Sequence, residues 1–447
     1  MVEMRCLVTG ATGYVGGRLV PRLLARGYDV RAMARTPDKL AGVPWRDAVE
    51  VVRGDLGDPE SLTAAFDGVD VVYYLVHSMG TSEDFAAEER RSAMNVVAAA
   101  RRAGVGRLVY LGGLHPSGAR LSPHLQSRTA VGDILLSSGI ETVVLQAGVI
   151  IGSGSASFEM IRHLTDRLPA MTTPKWVHNR IQPIAIRDVL HYLVEAASAE
   201  VPWSRTWDIG GPDVLEYGEM MQIYAEEAGL RRRLIVVLPF LTPTIASWWV
   251  GLVTPIPSGL ARPLVESLHC DAVMGDHDID SVIPPPAGGL TGYREAVGLA
   301  LERIARGQVE TSWANASPQG APSGPLPSDP EWAGEIAYTI NRSAWTPATP
   351  EELWKVIDAS PVQARSRVET REPGQLLLLL RQTRAPGREW LEMRVRRVDG
   401  RGSRYDQRAI FYPRGIAGRL YWYGGLPLHR RRFRATFADV VAGSSGR

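Results

Sequence analysis

Residues 5–17 read Arg5-Cys6-Leu7-Val8-Thr9-Gly10-Ala11-Thr12-Gly13-Tyr14-Val15-Gly16-Gly17. An apolar run ends in Gly10-x-x-Gly13-x-x-Gly16, and a stretch of helical spacing then runs from Tyr14 to Arg26 and stops at Gly27. Each glycine has a physical task. Gly10 lets the chain turn sharply, Gly13 removes a β-carbon that would hold the backbone away from a phosphate, and Gly16 lets the helix pack close to the strand. Thr12, Tyr14 and Val15, between the glycines, are expected to share the contact. The helix N-terminus presents free N–H groups and the positive end of its dipole to a diphosphate. A glycine-rich structural turn is the competing reading. Strand, glycine triplet and helix in this order favour a dinucleotide-binding unit.

Composition sets the frame. A chain of 447 residues has room for two or three domains, and 45% hydrophobic with 22% charged residues is the balance of a soluble globular protein. Two cysteines, Cys6 and Cys270, exclude a disulfide framework and point to a reducing compartment. The first strand begins so early that no signal peptide is expected, which predicts a cytoplasmic protein. The net charge of +2 hides an asymmetry. From Glu331 onward there are 21 Arg and Lys against 12 Asp and Glu, so the last quarter carries +9 and the rest −7. A basic C-terminal part could meet anionic lipid or simply be solvated; no nucleic-acid partner is expected.

The first 150 residues alternate strand and helix. Strands are predicted at Arg5–Thr9, Asp29–Ala34, Val49–Arg53, Val69–Leu75, Arg107–Leu111 and Glu141–Ala147, Val/Leu-rich without strict alternation, as in a parallel sheet covered on both faces. The clearest helix spans Ser82 to Ala103. The fold class is α/β: a doubly wound parallel Rossmann sheet over 1–150 and a smaller substrate-side lobe over 151–305, followed by a proline-rich linker over 306–330 and an α+β domain over 331–447. Residues 234–261 carry no charge over 28 positions, but Pro239, Pro243, Pro255 and Pro257 interrupt any membrane-spanning helix. That segment is read as a buried lid or an interfacial hairpin. In the last domain a short helix is expected over Pro350–Ile357. Strands follow at Gln375–Gln382, Trp390–Val398 and Tyr405–Tyr412, and a last helix over Gly415–Phe433 is broken near Gly424-Gly425-Leu426-Pro427. In the middle strand Leu391, Met393 and Val395 are expected inward, and Glu392, Arg394 and Arg396 outward.

A second recognition point lies at the end of the second strand. An NAD site places Asp or Glu there for the ribose hydroxyls; this chain has Arg35, with Lys39 nearby, which suits a 2′-phosphate and favours NADP(H) over NAD(H). A surface arginine facing water is the alternative. Asp55 and Leu56 follow the third strand, with Asp55 a candidate for the adenine amine or for a helix cap. His77, after the fourth strand, would lie near the cofactor or cap the strand end.

Together, Thr-Gly-Ala-Thr-Gly-Tyr-Val-Gly at 9–16, Arg-x-Pro at 35–37 and Gly-Asp-Leu at 54–56 resemble the short-chain dehydrogenase/reductase superfamily, in its atypical, extended NAD(P)H-binding branch. The resemblance covers about residues 1–300, with Gln182-Pro183-Ile184 and Asp188-Val189 similar to that branch's substrate-side signature. The sequences 386–392 and 418–423 resemble an uncharacterised domain often fused to such proteins, which looks related to START-like helix-grip lipid-binding folds. With only a short arginine-rich stretch at 361–374, that barrel is expected to be incomplete.

The superfamily's tyrosine–lysine pair is missing: no tyrosine stands four residues before Lys39, Lys175 or Lys355. In the matching segment His124 takes the tyrosine's place and Arg128 the lysine's, and Gly112-Gly113 replaces the expected serine. Histidine transfers protons near neutral pH, and a guanidinium could bind the nicotinamide ribose. Two functions follow from the resemblance. One is an NADPH-dependent oxidoreductase or isomerase acting on a hydrophobic small molecule; the other is a non-catalytic NADP(H)-binding sensor or scaffold. His269-Cys270-Asp271 with Asp276-His277-Asp278 has no zinc-ligand spacing and is read as a solvated loop. A cytosolic protein is expected, with peripheral, salt-sensitive membrane contact as the alternative.

Overall fold

The computed structural model describes residues 4–76, 85–116, 118, 121–238, 264–268, 270–311, 338–383, 385–398, 402–413 and 415–445. The chain divides into two compact units, the larger made of Met1–Thr165 and Ala170–Gly334, the smaller of Glu335–Arg447 together with Asp166–Pro169.

The larger unit is built on a seven-stranded parallel sheet. Its strands are β1 (Arg5–Thr9), β2 (Asp29–Ala34), β3 (Glu50–Arg53), β4 (Val71–Tyr74), β5 (Arg107–Gly113), β6 (Glu141–Ala147) and β7 (Arg205–Ile209). Their spatial order is β7-β6-β5-β4-β1-β2-β3. The helices are α1 (Tyr14–Ala25), α2 (Pro59–Phe66), α3 (Phe85–Ala103), α4 (Pro123–Leu136), α5 (Ala156–Arg167), α6 (Ile186–Glu195), α7 (Tyr217–Glu227) and α8 (Tyr293–Thr311). Neighbouring residues of one strand enter different cores. Val71 and Tyr73 pack on one side of β4 with Leu19, Leu23 and Trp207, while Val72 and Tyr74 pack on the other with Phe66, Val96 and Leu108. Burial on both faces is why these strands show no polar alternation. Cys6 lies fully buried in β1, where burial pushes its thiol up to about 12.

Chain order reverses between β1 and β4, so the crevice at their carboxyl ends is the switch point where such sheets bind ligands. Thr9 fastens the two strands there. Its hydroxyl donates to the Tyr73 carbonyl (2.8 Å) and accepts from the Leu75 N–H (3.2 Å).

The smaller unit is an antiparallel sheet of β8 (Tyr338–Thr346), β9 (Ser366–Glu372), β10 (Leu376–Arg381), β11 (Gly387–Val398) and β12 (Gly402–Pro413), in the order β8-β12-β11-β10-β9. Helices α9 (Pro350–Asp358) and α10 (Gly415–Ser445) cover one face. Thr349 and Glu352 form a reciprocal capping box that starts α9. Leu353, Ile357, Phe433 and Phe437 meet Leu377, Leu391, Met393 and Tyr405 in its core, with Phe437 stacked on Tyr405 at 5.3 Å between ring centres.

Several expectations change. β7 belongs to the central sheet, paired in parallel with β6 from Arg205↔Val143 to Ile209↔Ala147, whereas its residues had read as part of the lobe. β8 and β9 were not read as strands, and the arginine-rich stretch supplies β9. The last helix is unbroken through Pro427 and runs to Ser445. Helix α8 extends to Thr311, past the expected start of the linker at 306. Glu392 is buried at 6% exposure, not outward in solvent, and burial raises its carboxyl pKa even beside Arg394. His77, Ser82–Asp84 and most of the charge-free lid (239–261) lie outside the described residues, as does the linker from 312 onward. No helix among the described residues is long and apolar enough to cross a membrane.

Candidate active site

The glycine turn forms one wall of a cleft of about 450 Å³. Gly10 has φ +71°, a left-handed conformation, and a β-carbon there would press on the Leu75 carbonyl at 3.0 Å. The turn closes with a hydrogen bond from the Gly13 N–H to the Gly10 carbonyl at 2.8 Å. A β-carbon at Gly16 would overlap the Gly10 carbonyl, so the helix packs against the turn as closely as the sequence predicts. Helix α1 starts after Gly13 with no side-chain cap and no acidic residue in its first turn. Its positive end is left for a ligand, and the cradle fits a pyrophosphate. Thr12, Tyr14 and Val15 line the cleft with Gly13 and Gly16. The Arg18 guanidinium covers the Tyr14 ring at 4.1 Å and donates to the Tyr14 carbonyl.

The opposite walls come from the strand ends and the lobe. Leu75 and Val76 follow β4, Leu111 lies near the end of β5 and Leu114 follows it; Val149, Met160, Tyr217, Leu264 and Leu268 complete the walls. Helix α4 adds His124, Leu125 and Arg128. Ser122 caps this helix by accepting from the Leu125 N–H (3.3 Å), and Pro123 takes the first position, where its missing donor costs nothing. Arg128 donates to the Leu111 carbonyl, and the Tyr110 hydroxyl donates to the Arg128 carbonyl at 3.1 Å. Among the described wall residues Arg128 is the single charged side chain.

His124 is 9% exposed, and burial, helped by the Arg128 charge, lowers its pKa to about 4. The sequence suggested an imidazole that titrates near neutrality; in the fold it is uncharged there. Gly113 is explained by packing, since a β-carbon would stand 2.8 Å from Leu125 Cδ2. A serine at this position would require Leu125 to move.

Arg35, Asp55 and Leu56 lie outside the cleft walls, at the ends of the neighbouring strands β2 and β3. Arg35 is exposed, directly after Ala34. Asp55 is exposed, with Oδ1 accepting from the Gly57 N–H (2.9 Å), while Asp58 caps α2. Asp55 therefore orders its own loop and is not the cap. Leu56 is buried in the core and its carbonyl accepts from Asn95 Nδ2 at 2.8 Å, so its side chain does not face a ligand in the cleft.

Sequence reasoning missed the lobe's contribution. Gly154–Ser157, Met160 and Tyr217 line the cleft without any local motif. The loop before α5 is set by Glu159, whose Oε1 accepts from the Gly154 N–H (2.9 Å), and by Ser155, whose hydroxyl donates to the Ile150 carbonyl (2.6 Å). Glu159 is itself fully buried in an ion pair with Arg162. Asp276 and Asp278, read as a solvated loop, are both engaged by Arg205.

Residues 10–152 match a family model described as NAD(P)H-binding, and residues 334–436 match a protein of unknown function, DUF2867. A 3 beta-hydroxysteroid dehydrogenase/Delta 5-->4-isomerase of Mycobacterium tuberculosis is 37% identical over 116 residues, 24% of this chain and 30% of that protein. The chain thus spans about a third of the length of this relative. A ceramide reductase of Caulobacter vibrioides is 28% identical over 308 residues, 65% of this chain and 92% of that protein. Among solved structures, the Citrobacter sp. triphenylmethane reductase complexed with NADP(H) has a TM-score of 0.53 at 23% identity, covering 66% of this chain and all of the other. An NADPH-dependent quinone oxidoreductase of Escherichia coli, complexed with NADPH, has a TM-score of 0.52 at 19% identity, covering 65% and 98%. These structures share the fold. The glycine cradle, the switch-point cleft and the family match agree: residues 10–152 form an NAD(P)H-binding Rossmann domain, which resembles the atypical short-chain dehydrogenase/reductases, and residues 334–436 match DUF2867.

Proposed function

We propose that the protein is an NADPH-dependent oxidoreductase that reduces a hydrophobic carbonyl or enoyl compound. One observation carries this reading: a helix N-terminus without a side-chain cap opens into a cleft of about 450 Å³ whose single charged wall residue, among those described, is Arg128. The volume and the leucine, valine and methionine walls suit a small apolar substrate. Reductases and a hydroxysteroid dehydrogenase among the relatives support the reaction class. The preference for NADPH rests on Arg35, exposed where an acidic residue would bind ribose hydroxyls.

When bound, the nicotinamide supplies a hydride. This chain's residues bind and polarise. The α1 N-terminus and the glycine turn hold the pyrophosphate; Arg128 offers positive charge within low-dielectric walls, where it acts more strongly than in water. His124 is uncharged at neutral pH, so its part is to donate an N–H hydrogen bond to the substrate oxygen, and the proton that completes the reduction comes from water, not from an imidazolium.

A second reading, NADP(H) binding without turnover, is favoured by the absent tyrosine–lysine pair and by the engagement of Arg128 with the Leu111 carbonyl. The deciding experiment measures NADPH oxidation by the full chain against a panel of apolar ketones, enones and quinones. Substrate-dependent oxidation that falls in Arg128→Gln, with NADPH affinity kept, supports the reductase. Tight NADPH binding with no oxidation across the panel supports the non-catalytic binder.

A further inference from the structure

The outward side of α10 is apolar over Leu420–Leu428 and arginine-rich over Arg430–Arg434. Leu420, Tyr423, Pro427, Arg431 and Arg434 follow at intervals of three, four, four and three residues, which places them on one stripe of a helix with 3.6 residues per turn. Trp422, Phe433, Phe437 and Val440 form the buried side. Leu420 is 68% exposed and Tyr423 62%, and Leu428 stands beside the stripe at 49%. Single exposed apolar residues are ordinary; three within nine residues of one helix, flanked by cations, are an interaction surface. Arg430, Arg431, Arg432 and Arg434 are all exposed, and none of them forms an ion pair among the described residues. The whole helix carries five arginines against Asp439 alone.

We propose that this face of α10 docks on an anionic lipid bilayer. Leu420, Tyr423 and Leu428 enter the boundary between headgroups and acyl chains, and the arginines lie against lipid phosphates. Helices with an apolar stripe and clustered cations lie in the plane of the interface, tyrosine favours that depth, and arginine gains from the negative surface potential. A nucleic acid would use the arginines but has no place for two leucines on the same side. The stripe from Leu420 to Arg434 is about 20 Å long, enough for several headgroups. The inference is independent of what the cleft does.

The test is cosedimentation of the full-length protein with vesicles of phosphatidylcholine alone and of phosphatidylcholine with phosphatidylglycerol, at low and high salt. Binding is expected only to the anionic vesicles, and it should weaken at least about tenfold as salt rises. Arg431→Gln with Arg434→Gln should lower the affinity about tenfold or more and flatten the salt dependence. Leu420→Ser with Tyr423→Ser should lower it comparably while leaving the salt dependence in place. The urea unfolding midpoint of the smaller unit should be unchanged in both, which verifies that each variant is folded. Wild-type affinity in both variants overturns the proposal. So does absence of binding to anionic vesicles at low salt, including the case in which the protein retains a duplex oligonucleotide instead.

Discussion

His124 and Arg128 stand one helical turn apart on α4, share one wall of the cleft, and the guanidinium is part of the reason the imidazole is uncharged. The pair therefore offers one fixed cation and one neutral polar group. That differs from a tyrosine whose acidity is raised by a lysine, where the cation's task is to favour loss of a proton.

This arrangement makes stability depend on pH in a defined window. The folded pKa of His124, about 4, lies below the 6.5 of an ordinary histidine, so the unfolded chain takes up the proton first. The stabilisation is complete above pH 6.5 and is lost as pH falls towards 4, to the extent of about 3 kcal/mol. His124→Gln should lack that part of the loss. Urea unfolding of both proteins across the window measures the difference, and equal slopes would remove the neutral buried imidazole from the account.

Gly13→Val should abolish NADPH binding with the fold retained. A β-carbon at this position meets only the Gly10 carbonyl, at 3.1 Å, so the chain adjusts by a few tenths of an ångström, but the side chain then fills the pyrophosphate cradle. Calorimetric titration with NADPH decides it; unchanged affinity would show that the cofactor lies elsewhere.

Arg35→Ala should weaken NADPH about 10- to 100-fold, since a charge-assisted hydrogen bond contributes roughly 1.5–3 kcal/mol. NADH affinity should hardly change. If the wild-type protein prefers NADH, the guanidinium at the end of β2 is a solvent-facing arginine and nothing more.

Phe437→Ala tests the smaller unit alone. Removing a core ring stacked on Tyr405 should cost about 3–5 kcal/mol of that unit's stability, read from its unfolding midpoint in urea. NADPH affinity serves as the internal control and should remain at the wild-type value.

What the sequence disclosed follows from where the information is local. The glycine turn and the strands beside it are written in contiguous residues, because strands buried on both faces, such as β1 and β4, are largely apolar. β7 was hidden by its polar members: Asp208 accepts from the Gly275 N–H and Arg205 pairs with Asp276 and Asp278, contacts across about 70 residues that no local pattern announces. β8 and β9 have few buried positions and read as loop. Gly424, Gly425 and Pro427 looked like a break, yet Pro427 is exposed, on the side where a missing backbone donor leaves its acceptor open to water. The lobe residues of the cleft wall come from segments far apart in the chain. Their chemistry is ordinary, and only the fold brings them to one cleft.

The burial of Cys6 has a practical consequence. A thiol with no access to water and a pKa near 12 does not react with maleimides or disulfides until β1 is uncovered. Cys6 therefore reports opening at the centre of the sheet, four residues before the turn that a dinucleotide would clamp. In a Cys270→Ser background its labelling rate becomes a clock for the rarest local openings, and a ligand seated on Gly10–Gly16 should slow that clock in proportion to how tightly it binds.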